Sequence, residues 1–149
     1  MDEFVVFHIA NLAMLDDADS AFLLEQGLPR DASPFLSFAA YTPEEIRERL
    51  DTFAVSKDYF PIGHNGSGDI VAIDTNRGEV VYFNHDANNL RVFINSTLPL
   101  FAECLCIFQE HLRSGMMHSC LSDIEAVDAK AAKTGSMWHD AVLAEIANG

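Results

Sequence analysis

The chain has 149 residues, which suits one domain with its own core. Apolar residues make up 49% of it and eleven are Phe, so a core can form without a disulfide or a metal. A formal net charge of -14 at pH 7 opposes direct binding to nucleic-acid phosphates and to anionic membranes. The same charge either keeps the chain soluble or speeds its encounter with a basic protein.

Residues 1–31 carry Asp2, Glu3, Asp16, Asp17, Asp19, Glu25 and Asp31 against Arg30 alone, so an acidic N-terminal face is expected. Residues 4–15 are apolar around His8 and Asn11, with spacings that fit a short helix or a strand. The N-terminus opens with acids rather than a basic region and shows no clear small-residue cleavage site, and no apolar run reaches the roughly 18 residues of a membrane span. A cytoplasmic protein without a membrane segment is expected.

Asp17 or Asp19 is placed to cap a helix over 18–26, with Gly27 at C′ and Pro29 beyond it as the stop. A strand over 35–39 follows Pro34. Thr42 as N-cap, Pro43 at N1, and Glu44 and Glu45 in the first turn start a helix that runs to about Phe53. The centre reads as β: strands over 59–63, 69–74, 79–84 and 90–94. Between them lie the turn 65–68, the hairpin turn 75–78, where Gly78 suits positive φ, and the polar loop 85–89. Short turns between successive strands imply an antiparallel meander.

The tail is helical. A helix over 98–113 is capped by Ser96 or Thr97 and stopped by Gly115, with Phe101, Leu105, Phe108 and Leu112 as its core stripe. Ser119 or Ser122 starts another, with Ile124, Val127 and Ala131 in register. Ser136 caps the last, with Trp138, Val142 and Ile146 on one face. Trp138 is either an exposed partner anchor or, as is commoner for a lone Trp, the residue that packs its helix on the domain. Cys104 and Cys106 stand two apart on an apolar helix, point different ways and cannot clamp a metal together. With Cys120 they read as buried, reduced thiols. The fold class is α+β: one domain over 1–149, a central, mainly antiparallel twisted sheet flanked by N- and C-terminal helices.

The Gly-rich stretch 63–69 lacks the Lys-Ser/Thr ending of a phosphate loop and leads into a strand rather than a helix, which argues against nucleotide binding. Asp69, Asp74, Glu79, His85 and Asp86 lack EF-hand offsets, and the six His are scattered, so no metal site is expected. Solvated carboxylates at strand ends are the plainer reading of those acids. No nucleophile elbow occurs, and His118, Ser119 and Cys120 are only neighbours in sequence. The chain reads as a binding protein, not an enzyme, with no cofactor.

The segment Tyr59-Phe60-Pro61-Ile62-Gly63-His64-Asn65-Gly66-Ser67-Gly68-Asp69, its apolar strand to Asp74, and Gly78-Glu79-Val80-Val81-Tyr82-Phe83-Asn84-His85-Asp86 together resemble the core of the SUKH superfamily. That superfamily includes fungal Smi/Knr cell-wall regulators and many bacterial immunity proteins. Upstream, Gly27-Leu28-Pro29 is similar to a GLP element of one group of SUKH immunity proteins. Downstream, Phe93-Ile94-Asn95-Ser96-Thr97-Leu98 resembles the family's strand-to-helix junction. The resemblance covers about residues 20–115 and leaves the helices over 119–147 unmatched. It implies a sheet flanked by helices and a protein that binds and neutralises a toxin, often a nuclease. No catalytic residues come with it. A regulatory scaffold of the Smi/Knr type that docks a cellular protein is the alternative.

Within this segment Gly63, Gly66, Gly68 and Gly78 permit tight or left-handed backbone, and Asn65 and Asp69 can bond nearby amides. Asp69, Asp74, Glu79, Tyr82, His85 and Asp86 are the candidate partner-binding surface, expected to share the hairpin side and to meet a basic toxin domain.

Overall fold

The structure is a computed structural model and describes residues 3–149, so Asp2 of the acidic N-terminal stretch lies outside the described residues. Strands β1 (Phe4–Val5) and β2 (Leu28–Pro29) form a two-stranded antiparallel ribbon. A six-stranded sheet follows strict chain order: β3 (Asp31–Ala32), β4 (Leu36–Phe38), β5 (Tyr59–His64), β6 (Ile70–Asp74), β7 (Val80–Asn84) and β8 (Leu90–Asn95). Every neighbouring pair in it is antiparallel, as the short turns predict. The helices are α1 (Asp17–Glu25), α2 (Pro43–Thr52), α3 (Leu98–Ser114), α4 (Cys120–Val127) and α5 (Met137–Asn148). This is the α+β architecture read from the sequence.

Local chemistry sets most of these boundaries. Thr42 and Glu45 form a complete capping box on α2, with Pro43 in its first turn. The α1 cap is Asp16 rather than Asp17 or Asp19; its carboxylate accepts from the Asp19 amide at 2.8 Å. Gly27 and Gly115 follow their helices at φ +70, as a C′ residue should. Residues 4–15 hold both a strand and a 3-10 turn over Ile9–Asn11. The strand expected over 35–39 is shorter, because Phe35 takes φ +60 and belongs to the turn before β4. Helix α4 stops before Ala131: Asp128 is extended, and Ala131 sits in a 3-10 turn over Ala129–Ala132.

The core lies where α3 and α5 pack on the sheet. Phe101, Leu105 and Phe108 of α3 are buried, while Leu112 is only partly so. Trp138 of α5 is fully buried beside Phe108 and Phe101, with ring centroids 5.4 and 6.5 Å away, and so packs its helix. Truncating an aromatic of this kind costs about 3–5 kcal/mol. Cys104 and Cys120 are buried, but Cys106 is exposed, since two residues along a helix turn it away from the α3 core face. Gly63 is required by close approach rather than by its φ. A Cβ there would stand far inside contact distance of the Ser37 carbonyl oxygen, so glycine lets β4 lie against β5, at the residue where the β5–β6 pairing on the other side shifts register.

Candidate functional site

The turn between β5 and β6 is built by Asn65. Its side-chain oxygen accepts from the amides of Ser67 and Asp69, each at 3.0 Å, and its amide nitrogen donates to the Asp69 carboxylate at 3.1 Å. Gly68 closes the turn at φ +82. Asp69 is only 3% exposed, so its carboxylate needs internal donors. It finds them in the loop after β7: the His85 amide donates at 3.0 Å, and His85 Nδ1 makes a short contact with the same oxygen. Asn84 caps that loop by accepting from the Asp86 amide at 3.1 Å. One buried carboxylate therefore fixes the 65–68 turn against the His85–Ala87 turn. It leaves His85 part-exposed and Asp86 open to solvent, with His85 Nε2 at 3.4 Å from the Asp86 carboxylate.

The six candidate surface residues do not share one side. Asp69 precedes β6 while Asp74 ends it, and Glu79 precedes β7 while His85 and Asp86 follow it. Asp69, His85 and Asp86 meet at one end of the sheet. Tyr82 lies on β7 opposite Val71 and is half-buried. Burial, then the charges of Asp69 and Asp140, push its phenol up.

Asp74 and Glu79 meet Arg91, which reaches from β8 across the sheet to Tyr59 on β5. Its Nε donates to the Tyr59 hydroxyl at 2.9 Å, and one terminal nitrogen donates to both carboxylates at 2.8 Å. Burial alone would raise the Asp74 carboxyl. The Asn76 amide, Arg91 and the Arg77 amide outweigh it and hold the group below the usual carboxylate range. Arg91 is held firmly protonated, since its bonds to Glu79, Tyr59 and Asp74 outweigh its own burial. Lys130 lies 3.6 Å from Glu79 and over the Phe93 ring.

The expected solvated strand-end carboxylates are thus corrected at two positions: Asp69 and Asp74, at 3% and 5% exposure, are internal hydrogen-bond acceptors. Sequence reasoning also missed Arg91 as the hub of this network. It missed a third network, too. Asp128 accepts from Asn95 Nδ2, the Ser96 amide and Ser96 Oγ at 3.0, 2.8 and 2.9 Å. Asn95 in turn accepts from Trp138 Nε1 at 2.8 Å. This ties the end of β8 to the turn after α4 and to α5. The strand-to-helix junction Asn95-Ser96-Thr97 was the available signal, but nothing local pointed to Asp128.

One arrangement has the residue types of nucleophilic catalysis. His111 Nε2 lies 2.7 Å from Asp123, and Ser119 Oγ lies 3.5 Å from His111 Nδ1. Both His111 Nδ1 and Ser119 Oγ, however, donate to the Met116 carbonyl, at 2.8 and 3.1 Å. The group closes the turn between α3 and α4 and leaves no hydroxyl facing a base. Among the described residues no group of three or more His, Cys, Asp or Glu is placed to hold a metal ion. No helix among them is long and apolar enough to cross a membrane.

The fold and this chemistry define an α+β domain on an antiparallel meander, its strand-end acids turned inward to fix loops that are themselves exposed. The model of the SUKH-4 immunity protein family matches residues 9–145, and the chain belongs to that family. The match takes in the C-terminal helices as well as the sheet. Membership points to immunity against a toxin and to a toxin protein as partner, in a family that is generally non-catalytic. No curated protein and no solved structure matches the chain.

Proposed function

We propose that this protein neutralises a basic toxin domain, a nuclease being the fitting class, by covering it in the cytoplasm through the loop end of the sheet. The observation that carries the reading is the Asp69 clamp. It presents His85, Asp86 and the 65–68 turn as one fixed surface on a chain of net charge -14 that belongs to an immunity protein family. A preorganised loop loses little freedom on binding, and an acidic field speeds encounter with a cationic partner. In this reading Asp86 and His85 touch the toxin. Tyr82 and Asp69 support them from beneath, and Asp74 and Glu79 act at a distance by fixing Arg91 and the far end of the sheet. The chain blocks the toxin by occupying its surface, without catalysis, cofactor or contact with nucleic acid. The test is co-purification with the toxin domain encoded beside this gene, together with survival of cells expressing that toxin. Binding that weakens with salt, and protection, are expected. Absence of both refutes the reading.

A further inference from the structure

Phe35 combines two features that an isolated fold has no reason to keep. It is 81% exposed, more than any other large hydrophobic residue described. It also sits at φ +60, a left-handed conformation that disfavours a residue of its bulk. Of the other non-glycine residues at positive φ, Asn88 and Asn89 are of a type that tolerates it and Ala54 is small, so Phe35 is the one bulky side chain placed there among the described residues. An outlier of this sort, held in place by its surroundings, is a reason to look for function.

The surroundings do hold it. Leu36 and Phe38, at 2% and 3% exposure, anchor β4 directly after it. The β3–β4 pairing sets Asp31 opposite Ser37, whose hydroxyl donates to the Asp31 carboxylate at 2.9 Å. Gly66 of the 65–68 turn lies against the Phe35 side chain: a Cβ on Gly66 would be 3.0 Å from Phe35 Cβ. The ring therefore stands at the same sheet end as the Asp69 clamp. Beside it lies a shallow depression of about 490 Å³ whose lining includes Asp31, Ser33, Ser37 and Gln109. Among the described residues no cationic side chain lies within 4.0 Å of the Asp31 carboxylate.

We propose that Phe35 is the anchor of the partner contact: its ring enters an apolar socket on the toxin, and Asp31 meets a Lys or Arg on that socket's rim. The inference rests on the immunity reading and names the chemistry of the partner surface. Large aromatics at the centre of a contact carry a disproportionate share of binding. A second copy of this chain is the poorer occupant, because two bodies of charge -14 repel.

The experiment measures affinity of the wild type, Phe35→Gly, Asp31→Asn and Gly66→Ala for the toxin domain encoded beside this gene. It is paired with urea unfolding and sedimentation of each variant alone. Phe35→Gly should weaken binding at least about 30-fold while its urea midpoint stays level or rises, since glycine accepts φ +60. Asp31→Asn should weaken binding about 5-fold and reduce its salt dependence. Gly66→Ala, which pushes on the ring without removing it, should fall between the wild type and Phe35→Gly. Wild-type binding with an undiminished Phe35→Gly variant overturns the anchor and leaves the immunity reading intact. A loss that appears only with a fallen urea midpoint, or a wild-type dimer that Phe35→Gly dissociates, also overturns it. Failure of the wild type to bind overturns both.

Discussion

Asp128 offers the sharpest test of what joins the C-terminal helices to the sheet. The carboxylate is 5% exposed and accepts three hydrogen bonds, from Asn95 Nδ2, the Ser96 amide and Ser96 Oγ. Asp128→Ala strands those donors. The Ser96 hydroxyl can turn toward solvent, and Asn95 Nδ2 keeps a weak contact to Cys104 Sγ at 3.3 Å. The Ser96 amide has neither escape. At about 1–3 kcal/mol for the stranded amide and about 1 kcal/mol for the weakened Asn95 bond, the loss should be about 2–4 kcal/mol. With a urea slope of about 2 kcal/mol/M for a chain of this size, the midpoint should fall by about 1.5 M. Asp128→Asn preserves the shape and one acceptor, so about half that loss is expected. Urea unfolding followed by far-UV circular dichroism at pH 7 measures both variants. Trp138 fluorescence reports on the node itself through the bond from Trp138 to Asn95. Removing one acid from a chain of charge -14 pushes the other way, toward slight stabilisation, so the sign alone is informative. An Asp128→Ala variant within about 1 kcal/mol of the wild type would refute the reasoning.

Gly63→Ala forces a Cβ against the Ser37 carbonyl oxygen and should cost about 3 kcal/mol in the same urea assay; a neutral result would mean that β4 and β5 can separate freely. The Asp74 carboxyl is lowered in the folded state, so its contribution is present above the ordinary carboxylate range and disappears as pH falls below it. Asp74→Asn should therefore be less stable than the wild type at pH 7, and the gap should close in acid; a gap constant down to pH 3 would contradict this. Cys106 is exposed, whereas burial pushes the thiols of Cys104 and Cys120 up to about 11. A thiol reagent at pH 8 should label one cysteine quickly and the other two only after urea is added. Three equally fast thiols would contradict the burial.

The parts of this fold that were legible in the sequence are those whose chemistry is local. The Thr42 cap with Pro43 and the acids of the first turn, the Asn65 turn and the glycines after α1 and α3 each act within a few residues, and each appears as read; the return bond from Glu45 that completes the capping box is what the structure adds. The bonds that were not legible join residues far apart in the chain. Asp69 and His85 are 16 positions apart, Arg91 and Tyr59 are 32, Asp128 and Asn95 are 33, and Trp138 and Asn95 are 43. Periodicity places each residue on its element but does not say which distant group it will meet. For the same reason Asp69 and Asp74 looked like surface charges. An acid at a strand end is exposed unless a second segment supplies donors, and here the His85 loop and Arg91 supply them.

This changes how the charge of the chain bears on partner binding. A carboxylate paired with a cation contributes little to the field a partner meets, because the two charges cancel at a distance, and one held by amide and hydroxyl donors is committed to bonds inside the fold. Asp74 and Glu79 share Arg91, with Lys130 also near Glu79, and Asp69 and Asp128 face clusters of N–H and O–H groups. Their role is to hold the two ends of the sheet and the C-terminal helices in place. On the proposed reading, the field that steers a basic partner is strongest at exposed acids, and Asp31 and Asp86 are two that stand at the loop end. Mutating the inward acids should therefore act first on stability and on loop geometry. Mutating Asp31 or Asp86 should act first on the rate of association and its dependence on salt, with a shift of the urea midpoint well below that of the Asp128 variants.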